Sequence, residues 1–511
     1  ENPLLLKQTL KSIKEGNPCL IFPEGRISSH GHMMKIYQGA AMLIEKSKVP
    51  ILPIYIEGAE FSFMGRAQSS CKFPRINLYI GQTIDADLMF ETQEKSNNRI
   101  YKSNQIADQL LRCYLTQNSD SHVCHAINQR CYQLKQDILI EDEYGARFNH
   151  KQIFGHANRL TAYLKNFTTP KEPWVICLNH DVLRTCCYLA ALSLNQPILE
   201  HEHETLEVLL KYLAKNHSTA TIILPPINQS SPLNEDTYQW LQNSPFNIIH
   251  LPSILHEPNK NNQLNIIATT SDNPQQTAIL TTLQDDHDGS FVFYAYSHEQ
   301  ILDNIKAFQT INHIGRDEKL YNRFPIGHSF QSIIATLTPV LLGAPMFLSS
   351  PKRSNTQSRE HLYDYEPTVL LADATYIEEC CRSSHSYTLY SLKQAVFPAG
   401  ILDQETELIW KKKFTSLWAC FLTHPACPWI ASNAPQNHTY ASLGRLSCAL
   451  NIEIQNKSLQ IQGNTVAERV DITQLPTSIK PTQTLLWDPS NISIDSDHHL
   501  FVSDSVEDND K

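Results

Sequence analysis

Glycine is scarce in this chain, with 16 among 511 residues, about 3% where a usual protein has roughly 7%. A backbone loop that cradles nucleotide phosphates spends glycines on close approach, so the shortage weighs against ATP chemistry. Long apolar runs free of breakers are lacking too. The uncharged stretch Ser329 to Ser350 carries Pro339, Gly343 and Pro345, and reads as a buried helix and strand instead of a membrane span. The 13 cysteines include no C-x-x-C, and the adjacent pairs Cys186-Cys187 and Cys380-Cys381 suit neither metal ligation nor ordinary disulfides. Among 22 histidines there is no H-x-x-x-H or H-E-x-x-H, so the reading expects no metal and a reducing compartment. No signal peptide opens the chain, and the first residue is Glu1, from which a fragment of a longer protein is expected.

What is present is globular. Apolar residues make up 41% and charged residues 18% of the sequence, which excludes disorder and leaves room for two to four folded units. Charge divides the chain unevenly. Residues 1–118 hold 14 basic and 11 acidic residues, a net of +3, so the remainder of the −10 total is −13. The basic part suits phosphate or an anionic surface but lacks the Lys/Arg density of a nucleic-acid binder.

The hydrophobic spacing predicts a helix over 4–15, a short strand Cys19-Leu20-Ile21-Phe22 and a helix over 37–46. Strands over 49–56 and 76–80 and a helix over 98–115 follow. This alternation predicts an α/β layer with a mainly parallel sheet. The polar stretch 116–122 is the expected boundary between a domain at 1–118 and another at 119–511. Beyond it the pattern predicts helices over 150–165 and 182–193, strands over 174–178 and 220–224, and a Pro/Asn/Gln-rich region over 225–276. A second α/β run over 279–397 and a β-rich tail from 440 follow, ending in an acidic stretch, 504–510, expected to be disordered.

Phe22-Pro23-Glu24-Gly25-Arg26 follows a predicted strand directly, and loops at the carboxyl ends of strands collect ligands in α/β sheets. Gly25 lets backbone approach a substrate, Arg26 offers a planar fork of donors to phosphate, and Glu24 can anchor a hydroxyl or hold Arg26. For these five residues alone, a surface turn with an ion pair is the competing reading. The longer string FPEGRISSHGHMMKIYQGA, with VPILPIYIEGAEFS at 49–62, resembles the third and fourth sequence blocks of the glycerolipid acyltransferase family. It is most similar to that family's bifunctional group, in which a 2-acylglycerophosphoethanolamine acyltransferase is joined to an acyl-acyl carrier protein synthetase.

The resemblance implies that Glu24, Gly25 and Arg26 position the glycerophosphate of an acceptor. It implies an acyl-ACP or acyl-CoA donor, a lysophospholipid or glycerophosphate acceptor, no cofactor, and work at a membrane surface, on the cytoplasmic face of the inner membrane. The family's catalytic His and Asp, four residues apart, stand N-terminal to these blocks. Residues 1–23 contain no His, and His30 and His32 come after the turn, so the pair is expected upstream.

From 122 to 502 the order of segments resembles the adenylate-forming (acyl-CoA or acyl-ACP synthetase) superfamily. Arg323 to Phe347, with His328-Ser329-Phe330 near its start, resembles the segment that lines the acyl pocket; a buried helix with a capping Ser is the equal alternative. The phosphate loop falls at Thr281 to Phe291, TTLQDDHDGSF, ahead of Ser297-His298; Asp285, Asp286 and Asp288 stand there with one glycine and no lysine. Three carboxylates repel a triphosphate. The Glu that supports magnesium is replaced in the Phe421 to Ala426 block, where Thr-Glu becomes Pro425-Ala426. The ribose-holding Asp is replaced by Asn491, which cannot make a charge-assisted bond. The superfamily's mobile C-terminal lobe is not in the sequence. The expected architecture is therefore a partial glycerolipid acyltransferase α/β domain followed by a degenerate adenylate-forming α/β domain with a β-rich tail. Three functions follow in order: a phospholipid-remodelling acyltransferase, a catalytically silent acyl- or carrier-protein-binding scaffold, and a working acyl-ACP synthetase.

Overall fold

The computed structural model describes residues 3–25, 33, 36–57, 59, 76–86, 99–115, 122–131, 138–143, 145–169, 172–179, 181–202, 205–227, 229, 231, 233–253, 273–285, 288–312, 314–315, 318–349, 355–383, 385–398, 404–414, 417–433, 444–455, 458–476, 479, 483–487, 492–494 and 499–502. The first helix, Pro3–Lys14, stops at Gly16, whose φ of +86° reverses the chain at no Cβ cost. The next, Gln38–Ser47, buries its small face of Gly39, Ala40, Ala41 and Leu43. Ile54–Glu57 and Asn77–Ile80 then form a two-stranded ribbon, which a bridge between Ile51 and Ile84 extends.

Here the structure corrects two expectations. The ribbon is antiparallel, with Ile54 opposite Ile80 and Glu57 opposite Asn77, so the layer is not a mainly parallel sheet. The strand expected over 49–56 shrinks to 54–57 because Pro50 and Pro53 have no N–H to give a ladder. Cys19 to Phe22 is extended, with Leu20 and Phe22 exposed, but it joins no strand ladder among the described residues. Apolar residues in a row favour a strand only when a neighbour supplies the hydrogen bonds.

One face of the ribbon is well covered. Tyr55 stacks on Tyr114 of the helix Arg99–Leu115 at 4.5 Å, and Tyr79 meets the same ring edge-on at 5.1 Å. The Glu57 carboxylate ties them together, accepting from Asn77 Nδ2 (3.1 Å), Tyr79 OH (2.8 Å) and Tyr114 OH (2.9 Å). The helix Arg99–Leu115 also reaches the rest of the chain. Arg445 pairs with Asp108 through both guanidinium nitrogens, the Nη1 contact being 3.0 Å. Lys306 Nζ lies 5.0 Å over the Tyr114 ring, and Ala307 joins the small core around Tyr55 and Ile106.

The larger part is built on two sheets. In the seven-stranded one, Thr277–Gln284, Ile198–Leu199, Trp174–Ile176, Thr221–Leu224 and Asn247–His250 run parallel, flanked by Phe291–Ser297 and Glu468–Val470. The eleven-stranded sheet has a parallel centre: Ile138–Glu141, Met346–Leu348, Leu320–Asn322, Val369–Leu371, Gln394–Pro398 and Leu417–His424. The helices expected over 150–165 and 182–193 are present as His150–Leu164 and Val182–Ser193. The second is buried along its whole length, because the core that contains it draws side chains from both sheets. The β-rich tail is there, including a three-stranded sheet of Asn451–Gln455, Ser458–Gly463 and Gln483–Trp487. The acidic end and residues 116–121 lie outside the described residues.

The stretch Ser329 to Ser350 is buried helix and strand, as its breakers predict, with a local distortion. Gln331–Ala335 winds as a π-turn before the helix Thr336–Leu342, and Thr336 Oγ1 donates back to Gln331 O at 2.8 Å. Pro339 has no N–H for the Ala335 carbonyl four residues earlier. Asn322 Nδ2 fills that role at 3.3 Å from a neighbouring strand.

Two of the buried ionisable groups stand out. Arg184 Nη2 bonds both Glu200 oxygens at 2.7 and 2.8 Å while Nη1 donates to Ile176 O at 2.8 Å, all out of water. Asp303, on the helix His298–Asn312, is 1% exposed, and neither carboxylate oxygen has a hydrogen-bond partner among the described residues. Burial raises its pKa to about 7; Lys306 opposes the shift and Glu299 adds to it.

Two outcomes follow. Replacing Arg184 by Met strands a buried carboxylate and should cost about 3–5 kcal/mol, while Arg184→Met with Glu200→Leu should restore most of it; urea melts of the three chains measure this. For Asp303, the native state holds the proton more tightly than the unfolded chain, whose carboxyl titrates near 3.9. Its contribution is intact below pH ~4 and is lost as pH rises through about 7. Asp303→Asn should therefore melt above wild type at pH 8, by about 2–4 °C per kcal/mol recovered, with the gap closing at pH 4.

Candidate functional site

The Phe22-to-Arg26 motif forms a tight turn as far as it is described. Gly25 N donates to Phe22 O at 3.1 Å, which closes four residues with Pro23 at the second position, where its fixed φ is already suitable. Gly25 has φ +63°, and a Cβ there would lie 3.1 Å from the Tyr37 ring. Tyr37 N donates to Pro23 O at 3.0 Å, so the residue that opens the helix Gln38–Ser47 also clamps the turn. Glycine is favoured twice over, by its conformation and by the ring against it. Glu24 is half-buried beside it. Arg26, His30 and His32 lie outside the described residues.

In the larger part, segments far apart in sequence meet at one turn. The strands Leu417–His424 and Cys427–Asn433 are joined through Pro425 and Ala426. The Pro425 carbonyl accepts from Thr281 Oγ1 and from Tyr296 OH, each at 2.7 Å. Ser329 Oγ donates to His424 O at 3.3 Å, and Ala426 N donates to His424 Nδ1 at 3.0 Å. The expected phosphate-loop strand, the His328-Ser329-Phe330 segment and the Phe421 to Ala426 block are thus neighbours. Ala426, where the resemblance led to the expectation of a magnesium-supporting carboxylate, is buried and bonded through its carbonyl to Ala467 N at 2.7 Å.

The two histidines here are neutral imidazoles that accept at Nδ1. His328 Nδ1 accepts from Phe330 N at 3.1 Å, as His424 Nδ1 does from Ala426 N, which leaves each ring proton on Nε2. Burial lowers the pKa of both to about 4. Around them the aromatic side chains fill space against one another. Phe330 stacks on Phe421 at 4.3 Å and Phe421 on Trp429 at 4.9 Å, with Phe324 and Phe308 against Phe330 at 4.8 and 5.5 Å. All five are essentially buried, so this segment is packed core as well as a wall beside His424.

The loop between Thr277–Gln284 and Phe291–Ser297 uses its own donors. Asp285 N bonds Ser290 O at 2.8 Å, Gly289 N bonds Asp285 O at 2.9 Å, and Ser290 N bonds Asp288 Oδ1 at 2.8 Å. A phosphate cradle needs such N–H groups pointing at the ligand; here three of them close the hairpin, and Asp285 and Asp288 are exposed on it. Asp286 and Asn491 lie outside the described residues. Among the described residues no group of three or more His, Cys, Asp or Glu is arranged to hold a metal ion. No described helix is long and apolar enough to cross a membrane.

Pattern reading used His298 only as a landmark and passed over His122. In the structure Ser297 and Gln300 cap the helix reciprocally at 3.0 and 3.1 Å, a signal present in the Ser-x-x-Gln spacing. The His298 ring is buried and stacked on His122 at 3.6 Å, while His122 Nε2 bonds Asn195 Oδ1 at 2.8 Å. Burial, then His122, holds the His298 pKa well below the usual imidazole range. No local signal announces a stack between residues 176 positions apart.

A sequence model of the family described as Acyltransferase matches residues 2–57, the part that contains the Gly25 turn. Among solved structures, the anthranilate CoA ligase AuaEII in complex with anthranoyl-AMP is 11% identical with a TM-score of 0.61, covering 76% of this chain and 78% of that one. Apo MatB from Rhodopseudomonas palustris is 11% identical with a TM-score of 0.60, over 76% of this chain and 79% of that one. The long-chain-fatty-acid-CoA ligase FadD1 from Archaeoglobus fulgidus is 12% identical with a TM-score of 0.58, over 76% and 84%. At such identities the likeness is one of fold. The chain therefore combines a short acyltransferase segment at residues 2–57 with the mixed α/β fold of adenylate-forming enzymes over most of its length.

Proposed function

We propose that this chain is part of a phospholipid-remodelling acyltransferase that moves a fatty acyl group from an acyl thioester to the hydroxyl of a lysophospholipid or glycerophosphate. The reading rests on the acyltransferase match at residues 2–57, which contains a turn where Gly25 is held at φ +63° against Tyr37. It is closest in pattern to the bifunctional 2-acylglycerophosphoethanolamine acyltransferase/acyl-acyl carrier protein synthetases. In this reading the exposed backbone of Gly25 and the side chain of Arg26 receive the acceptor's phosphate, while Glu24 anchors a hydroxyl of the glycerol or holds Arg26. The acceptor hydroxyl loses its proton to a histidine in a His-x4-Asp segment N-terminal to Glu24 and attacks the thioester carbonyl. The tetrahedral intermediate collapses with release of the carrier thiol, free CoA or acyl carrier protein. The reaction takes place at the cytoplasmic face of the inner membrane, where the acceptor resides.

The ligase-like part is proposed to be inactive in adenylation. Its support is the 285–290 loop, which spends three N–H groups on its own closure and exposes Asp285 and Asp288, together with buried Ala426 in place of a carboxylate. A protein that only docks acyl groups or a carrier protein is the second reading, favoured by the same loop.

In the full-length protein, Arg26→Ala should weaken acceptor use by roughly 10- to 150-fold, the worth of one charge-assisted bond, with much less effect on the donor. Steady-state kinetics with each substrate varied in turn decides; equal losses would mean a collapsed turn, and no loss would return Arg26 to a surface ion pair. For the ligase-like part, a thermal melt of the whole chain with millimolar Mg-ATP should show no shift. ATP at ten times its Kd would contribute about 1.4 kcal/mol, so a reproducible rise abolished by EDTA overturns the inactive reading.

A further inference from the structure

Away from both motif regions, three tyrosines gather on the surface of the ligase-like part. Tyr363 is 49% exposed, Tyr387 60% and Tyr390 55%. Tyr363 stands near the end of the helix Asn355–Tyr365, and Tyr387 lies in the 3₁₀ turn Ser386–Leu389, three residues before Tyr390. A 3₁₀ turn has three residues per turn, so the last two rings leave it on the same side. The Tyr363 ring centroid is 6.3 Å from Tyr387 with the planes at 88°, and 6.1 Å from Tyr390 with the planes at 58°. Tyr363 is thus a ring shared by two others, each inclined to it. The other face of the helix is anchored: Leu362 is buried, and Tyr365 packs 5.2 Å from Phe347.

A carboxylate belongs to the same cluster. Tyr390 OH donates to Glu366 Oε1. Glu366 ends the helix at φ +55°, with its N–H on Leu362 O at 3.2 Å. Glycine or asparagine takes that left-handed position at lower cost. Glutamate there places an anionic group against the rings. Ser391 Oγ donates to Pro367 O at 2.9 Å and fixes the 3₁₀ turn to the helix end, while His385 stacks parallel to Tyr387 at 5.2 Å.

Single exposed aromatics need no explanation, but three converging rings with a carboxylate do. Ring faces are electronegative and attract a cation that lies over them, best when the cation is poorly hydrated. A hard metal ion would prefer oxygens to rings, and a neutral apolar ligand would gain nothing from Glu366. We propose that Tyr363, Tyr387, Tyr390 and Glu366 form a binding site for an alkylammonium group. Its methyls or methylenes lie on the tyrosine faces and its charge is balanced by Glu366. Free alkylammonium compounds and phospholipid headgroups share this chemistry. The site does not depend on the acyltransferase reading and lies in the other part of the chain.

The test titrates the whole chain with tetramethylammonium, followed by saturation-transfer NMR of the methyl protons. Saturable binding at millimolar concentration is expected, with no saturable binding of the neutral isostere 3,3-dimethyl-1-butanol. Tyr363→Ala and Tyr387→Ala should each weaken binding roughly two- to fivefold, and Tyr363→Phe should keep it, since the ring face is retained. Glu366→Gln should weaken binding with every ring in place, and circular dichroism confirms that each variant is folded. Choline binding without glycerophosphocholine binding would assign a free alkylammonium ligand; binding of both would assign a headgroup. Absence of saturable binding, equal binding of the neutral isostere, or binding indifferent to Tyr363→Ala and Glu366→Gln overturns the proposal.

Discussion

The larger part of this protein hangs on a charge taken out of water. Arg184 joins the start of a wholly buried helix to the ends of two parallel strands, through Ile176 O on one and Glu200, just beyond Leu199, on the other. A guanidinium in such a place is tolerable only because its planar fork meets a carboxylate with two parallel bonds and a carbonyl with a third. The surrounding apolar side chains would pack in more than one way. The pair fixes the helix against the sheet in one register, and Gly327 then approaches the backbone so closely that a Cβ would lie 2.2 Å from Glu202 N. The carboxyl ends of these strands are therefore a rigid platform.

Near that platform, polar groups from segments far apart in sequence bond to one another. Thr281 and Tyr296 spend their hydroxyls on Pro425 O, and the neighbouring loop spends its N–H groups on itself. Each bond is an ordinary one, of about 1 kcal/mol. Together they hold the Pro425 turn and the 285–290 hairpin in place. The helix Arg99–Leu115 is fastened to this body by Asp108–Arg445 and by Lys306 over Tyr114.

Much of this was legible in the residues. Gly25 after Pro23 and Glu24 announced a turn, and the turn is there, with glycine favoured by φ +63° and by the Tyr37 ring against it. Three aspartates and one glycine stand where the resemblance expects a phosphate loop, and the structure adds that Asp285, Asp288, Gly289 and Ser290 close a hairpin among themselves. The helix over 182–193 was readable to the residue, since a continuous apolar run between an Asp N-cap and a turn has few alternatives. The strand at 19–22 and the parallel sheet of the first part were misread, because an apolar run specifies extended backbone but not the partner that would make it a strand.

The sequence by itself determined the local vocabulary: helices from periodicity and caps, and turns from proline and glycine. Tertiary structure decided everything that depends on two distant residues sharing a dielectric environment. His122 and His298 stack only because separate helices bring them to 3.6 Å. Asp303 carries an abnormal affinity for its proton only because folding strips its water and supplies no donor among the described residues. Tyr363, Tyr387, Tyr390 and Glu366 are four unremarked surface residues until a helix end and a 3₁₀ turn are fixed beside each other. Spacing along a chain encodes what neighbours within a few residues can do, whereas desolvation and ring geometry arise from packing, which no local pattern records.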